Sequence, residues 1–323
     1  MEPDDTEVDG IGLFDGLDDE ERAIANAGLK PYTIGAGEEL LREGEADRSL
    51  VIVLDGELMV SLGDVELARV GVGDIVGEMA LFGTFDRRSA TVTSMVGPTK
   101  LLILDEDALR FLRVQGNPMV KNLEAFALRC LYRRIQDMEA RIAELTEAEP
   151  LPTPSVLGRI ASVFGMQAGP EPHEVLRLVP GFASRDPQVV RNIAARLSLT
   201  NVPRSKAIVT RGEAVDGSWM VASGSVGIWH PSADGAPARA AVLGPGRVFG
   251  RVGSTCSLAS RSSVTSLESS WLLYFPTEVT DELEAGTTPE AAAYRRGMID
   301  ALATQLRLMN EAFLSTVLRA AED

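Results

Sequence analysis

Gly73-Asp-Ile-Val-Gly-Glu-Met-Ala-Leu-Phe-Gly-Thr-Phe-Asp-Arg-Arg-Ser-Ala-Thr91 holds a glycine turn, one short helical turn and an arginine at the mouth of an apolar strand. Gly77 permits a tight turn and a close approach of backbone to a bound molecule. Glu78-Met-Ala-Leu-Phe82 can wind into a single turn whose amides and positive dipole end suit an anion. Arg88 stands at the start of Ser89-Ala-Thr-Val92, where a guanidinium can clamp a phosphate through two hydrogen bonds. Glu78, an acceptor-only group, suits sugar hydroxyls. The plainer reading of a lone Gly-Glu plus an arginine is an exposed ion pair worth about 0–1 kcal/mol. It is the surrounding pattern that argues against it.

That pattern occurs twice. Gly44 pairs with Gly212 and Gly56 with Gly224, both 168 apart. Gly73 pairs with Gly246, Gly77 with Gly250, Arg88 with Arg261 and Ser89 with Ser262, all 173 apart. The offset changes between Gly56 and Gly73, where the second copy carries the polar loop His230 to Pro237. A fixed offset broken at a turn is the mark of a duplicated domain. Each copy opens on a short helix, near Leu17 to Gly28 and near Pro187 to Leu197. Short Val/Ile/Leu-rich strands punctuated by glycine follow, such as Leu50-Val-Ile-Val-Leu-Asp-Gly56 and Trp219-Met-Val-Ala-Ser-Gly224. Helix closes each copy, over Asp105 to Leu145 and over Thr277 to Ala321 with a break. The expected fold is α+β, mainly β: two tandem sandwich-like rolls with flanking helices. A first domain spans 12–148, a Pro-rich linker with a short helix from Ser155 to Met166 spans 149–177, and a second domain spans 178–323.

The stretch is similar to the phosphate-binding cassette of the cyclic nucleotide-binding domain family, in Gly77-Glu78-Met79-Ala80-Leu81 and then Arg88-Ser89-Ala90-Thr91. Arg42-Glu-Gly-Glu45 and Leu50 to Gly56 resemble the family's early strands, so the likeness covers most of both repeats. It implies two double-stranded jelly-roll-type β-rolls of eight strands each. It also implies roles: Glu78 accepting from a ribose 2′-hydroxyl, Arg88 on the cyclic phosphate, and Ser89 with the backbone of Gly77, Glu78, Met79 and Ala80 assisting. Serine after the arginine resembles the cyclic-AMP readers, with cyclic GMP as the other candidate ligand. No cofactor is implied. In the family's activator proteins a Thr-Ser pair from the following helix meets the adenine; spacing from Asn117-Pro118 puts Ile135-Gln136 there instead. The second copy reads as a degenerate site: Gly250, Arg261 and Ser262 survive, but Arg251 replaces the glutamate and cannot accept from a hydroxyl.

Leu128, Leu131, Ile135, Met138, Ile142 and Leu145 form a 3-4-3-4-3 seam. Family members of the activator type pair this helix between subunits, so the resemblance implies a homodimer through helix 117–146; an unknown protein partner is the alternative. A net charge of −16 argues against a nucleic-acid partner, and the roughly 45 residues after the second roll are too few for a winged helix. No apolar run reaches about 18 residues, so no membrane span is expected. Two cysteines without a CxxC, and no signal-peptide pattern at the start, predict a cytoplasmic protein. Two histidines, no GxSxG and no His-x-His leave no catalytic or metal-binding constellation, so an enzyme is not expected. Arg159-Ile-Ala-Ser162 loosely resembles a basophilic kinase site, a pattern short enough to arise by chance. The expected role is a cyclic-nucleotide sensor, with a nucleotide-insensitive interaction module as the alternative.

Overall fold

The computed structural model describes residues 12–83, 85–152, 169–250 and 259–322. The expected linker helix from Ser155 to Met166, the Arg159–Ser162 pattern and Arg251 lie outside them. The chain divides into two units, Met1–Cys130 and Leu131–Asp323.

In the first unit, α1 (Asp19–Gly28) starts at a capping box: the Glu21 amide donates to Asp18 Oδ1 at 2.8 Å, and the Asp18 amide to Glu21 Oε2 at 3.0 Å. Strands β1 (Lys30–Ile34), β2 (Glu39–Leu41), β3 (Leu50–Leu62), β4 (Val65–Val70) and β5 (Ile75–Val76) follow. Then come α2 (Glu78–Phe82), β6 (Thr91–Leu104) and α3 (Glu106–Val114). The backbone of β1, β6, β3 and β4 runs side by side in one antiparallel sheet, with β2 on β6 and β5 on β3. The first unit has six strands among the described residues rather than the eight expected, and β3 and β6 are long, each pairing with three others. Their pairing slips at Asp55 and Glu57, around Gly56, whose φ of +91° bends the strand without breaking it. Val51, Val53, Leu58, Val92 and Leu101 fill the core. Asp105 caps α3 by accepting from the Ala108 amide at 2.8 Å, and Gly116, Asn117 and Pro118 end it. The expected single helix from Asp105 to Leu145 is therefore two: α3, and α4 (Met119–Glu144).

The second unit begins within α4, from Leu131 onward. It contains α5 (Pro172–Leu176), α6 (Pro180–Ala183), α7 (Pro187–Ala194), β7 (Ser198–Val202), β8 (Ala207–Val209), β9 (Gly217–Ser223), β10 (Val226–Pro231), β11 (Pro237–Leu243), β12 (Val248–Gly250), β13 (Ser263–Ser266) and β14 (Ser270–Pro276), then α8 (Thr277–Ala285) and α9 (Pro289–Glu322). Two four-stranded sheets, β11-β10-β13-β8 and β12-β9-β14-β7, enclose a core of Val221, Val226, Ile228, Phe249 and Leu272. The long β3 of the first copy is here split into β9 and β10 at Gly224, and β6 into β13 and β14. Both units are thus antiparallel sheets with flanking helices. Their paired glycines share one backbone state: φ is +81° and +83° at Gly44 and Gly212, and +93° and +95° at Gly77 and Gly250. No helix among the described residues is long and apolar enough to cross a membrane.

Candidate functional site

The first cassette forms where β5 meets α2. Gly77 caps that helix in the left-handed region, and its carbonyl accepts from the Ala80 and Leu81 amides at 3.2 and 3.1 Å. A side chain here would collide: a Cβ would lie 2.4 Å from the Ser49 carbonyl and 2.7 Å from Arg88 Nη1. Gly77 is therefore what lets the guanidinium lie against the turn. Glu78, Met79 and Ala80 follow it into the interior, Glu78 at 1% exposure. Arg48 Nε donates to the Ala80 carbonyl at 3.1 Å, tying the turn to the loop before β3.

Arg88 enters from the segment before β6, its backbone bridged to that same loop. Its amide donates to the Glu45 carbonyl at 2.9 Å, and its carbonyl accepts from the Gly44 amide at 3.0 Å. The side chain is 3% exposed. Nη2 donates to the Ser49 carbonyl at 2.8 Å, to Ser49 Oγ at 2.9 Å and to Asp47 Oδ2. Nε and Nη1 are buried without a hydrogen bond. Unmet donors on a buried cation cost about 1–3 kcal/mol each, a cost that an anion accepting from them removes. Burial raises the Asp47 carboxyl pKa, but the Arg88 guanidinium and the Ser49 hydroxyl and amide outweigh it and hold the group below the usual carboxylate range. Ser89 Oγ reaches Met79 Sδ at 3.6 Å, which links the arginine segment to the helical turn.

Gly77, Glu78, Met79, Ala80, Arg88 and Ser89 thus lie within one cassette. The structure adds Asp47 and Ser49, which the sequence reading did not single out. A signal for them existed: their counterparts at offset 168 are Val215 and Gly217, so both change in the copy that also exchanges Glu78 for Arg251.

In the second copy the pairing of Arg88 with Arg261 does not hold. Backbone register counts differently there. Leu41 faces Val92, and Val209 faces Val264. The Gly212 amide donates to the Ser260 carbonyl at 2.8 Å and the Ser260 amide to the Glu213 carbonyl at 2.9 Å, the two bonds that Arg88 makes in the first copy. Gly250 keeps Gly77's place, so the chain from there on is one residue shorter. Ser260 occupies the place of Arg88, Arg261 that of Ser89, and Ser262 that of Ala90. Arg261 is thereby out of the place of Arg88, and its Nη1 meets Asp137 Oδ1 of α4 at 2.9 Å, both side chains half exposed. The space beside the turn is filled by Trp219, stacked on Phe249 with centroids 5.6 Å apart; a Cβ on Gly250 would lie 2.7 Å from that indole. Gly217, in Ser49's place, has no room for a side chain, since a Cβ would meet the Phe275 carbonyl at 2.4 Å.

The α4 seam is spent within the chain. Leu128, Leu131, Ile135, Met138 and Ile142 are buried, and only Leu145 is exposed, at 46%. From Leu131 on the helix belongs to the second unit. The Tyr132 hydroxyl donates to the Gly250 carbonyl, Glu139 Oε2 meets His230 Nε2 at 3.1 Å, and Ala143 packs on Ala238 and Ala240. Gln136 Nε2 donates to the Tyr132 hydroxyl at 3.3 Å, so this residue too is engaged inside the second unit.

The family model described as "Cyclic nucleotide-binding domain" matches residues 33–115 and 199–285, more than half of the chain. A cGMP-dependent protein kinase of Eimeria tenella is 30% identical over 112 residues, 35% of this chain and 11% of the kinase. A CRP-like cAMP-activated global transcriptional regulator of Mycobacterium tuberculosis is 26% identical over 164 residues, 49% of this chain and 70% of the regulator. Among solved structures, the regulatory domain of Toxoplasma gondii PKA with cAMP aligns at 19% identity over 84% of this chain and 89% of that one, with a TM-score of 0.31.

Proposed function

Because the chain belongs to the cyclic nucleotide-binding domain family, we propose that its first repeat is a cyclic-nucleotide sensor. The observation that carries this is Arg88, a buried guanidinium with two unbonded nitrogens beside the Gly77 turn. An exocyclic phosphate oxygen would accept from Arg88, and Glu78 would take the ribose 2′-hydroxyl. Cyclic AMP is the preferred ligand on the strength of Ser89; the two curated relatives are named for different nucleotides and do not discriminate.

The role is binding in the cytoplasm, without a bond-making step. Ligand on Arg88 would bear on Asp47 and Ser49, which share Nη2, and through that loop on the strands that carry it. The output is a shift among conformations of the helical segment from α3 to α4 and of whatever it contacts. A homodimer through residues 117–146 would have to use the face of α4 opposite its seam, because the seam is buried within the chain. The second repeat binds no cyclic nucleotide in this reading, since serine stands in the arginine's place.

The test is calorimetric titration of the full chain with cyclic AMP and cyclic GMP. Micromolar or tighter binding of cyclic AMP, lost in Arg88→Ala, is expected; no heat with either nucleotide overturns it. One observation favours a second reading, an interaction module without nucleotide control: Ile135 and Gln136 are engaged within the second unit rather than offered to a base. The same absence of heat, with a cellular partner held equally well by Arg88→Ala, would select it.

A further inference from the structure

The second unit contains an open cavity of about 940 Å³ that is bordered by Ser260 and Arg261 but not by the Gly250 turn or Trp219. Arg211, Arg261, His230, Ser232, Ser260 and Glu144 line it. We propose that this cavity binds a phosphate-bearing small molecule between Arg211 and Arg261.

Three observations converge. The side chain of Arg211 has no hydrogen bond or ion pair among the described residues, although the chain carries a net charge of −16. An exposed cation left unpaired beside a concave wall, among so many carboxylates, is set to receive an anion. Arg261 reaches the same cavity through the one-residue shortening that puts it in the place of Ser89. Its only partner among the described residues is the half-exposed Asp137, a pair that a ligand phosphate can replace at small cost. His230 is 4% exposed, and Glu139 fixes its ring through Nε2; Nδ1 makes no hydrogen bond among the described residues. The wall therefore carries a buried polar side chain held in one orientation, together with two guanidinium groups. Glu144 is the one carboxylate among the described lining residues, and it suits a hydroxyl or amine of a ligand whose phosphate the arginines take. The cavity's size matches a sugar phosphate or a nucleotide.

The experiment uses the full chain carrying Arg88→Ala, so that phosphate cannot enter the first cassette and the outcome does not depend on the sensor reading. Calorimetry with ribose 5-phosphate and with inorganic pyrophosphate is expected to give heat. Binding of both assigns the site to the phosphate group alone; binding of ribose 5-phosphate only assigns it to the ester. Adding Arg211→Ala is expected to weaken binding about 10-fold, as for one lost charge-assisted hydrogen bond. Asp137→Asn, which releases Arg261, is expected to tighten it about 2- to 5-fold. No heat with either probe at about 10 mM overturns the proposal, as does unchanged affinity in Arg211→Ala with an unaltered melting curve.

Discussion

Gly77 and Gly73 share a left-handed backbone yet differ in what surrounds them. A Cβ at Gly73 meets nothing within 4 Å, whereas at Gly77 it runs into the Ser49 carbonyl and the Arg88 guanidinium. Gly73→Ala should therefore cost only the backbone penalty, about 1–2 kcal/mol. Gly77→Ala should cost more and should also displace Arg88, so that nucleotide affinity falls together with stability. Paired urea melts and titrations of the two variants separate these effects. Asp47 makes a second prediction. Its pKa is depressed in the folded chain, so the stability it contributes is complete above the unfolded-state value near 3.9 and is lost as pH falls through the folded value. Asp47→Asn should flatten the acid limb of the stability profile below about pH 4 and leave the neutral region's slope unchanged, as unfolding from pH 2 to 7 would reveal. Gly77, Glu78 and Arg88 were readable in the sequence because they lie within one short stretch with fixed spacing. Asp47 and Ser49 were not, because their contact with Arg88 closes a loop of about forty residues, and only a fold brings such ends together.

At the scale of elements, periodicity identified the α4 seam but not its partner. A row of Leu, Ile and Met at heptad spacing states that one face must be covered; it does not state by what. Here the cover from Leu131 onward is the second unit itself. Leu131→Ala should thus destabilise the second unit by about 2–5 kcal/mol, as for a core truncation, and should do so at every protein concentration. A loss that grows on dilution would instead mean that the seam pairs chains. The same limit explains the misplaced arginine of the second cassette. Arg-Ser occurs in both copies at a plausible offset, and a one-residue shortening is invisible when the dipeptide that should expose it recurs. Strand pairing exposes it, because Val209 facing Val264 leaves no freedom in the count.

For the whole molecule, two separate cores mean that ligand and stability need not be shared. Val51, Val53 and Val92 belong to one core, Val221, Val226 and Val264 to the other. Cyclic AMP at about 100 times its Kd should stabilise the unit that binds it by about 2.7 kcal/mol. Hydrogen exchange is expected to slow in β3 and β6 and to leave β9 and β14 unchanged. Equal protection of both would place nucleotide in both repeats and contradict the assignment of Ser260. The duplication itself was plain from the glycines, because each stands where φ is positive and tolerates few replacements.

The one-residue difference between the two cassettes has a consequence for how such repeats diverge. Arg261 need not have been mutated to fall silent: it follows Gly250 at the spacing by which Arg88 follows Gly77, but Val264 comes one residue sooner after it than Val92 does after Arg88, so deletion of a single codon between Arg261 and Val264 would carry the arginine out of its socket with its own codon intact. Substitution at a ligand residue can be reversed by one base change, whereas this loss requires an insertion of the right length in the right place. A repeat that loses its ligand in this way is held away from its former trade, and its retained arginine becomes raw material for another.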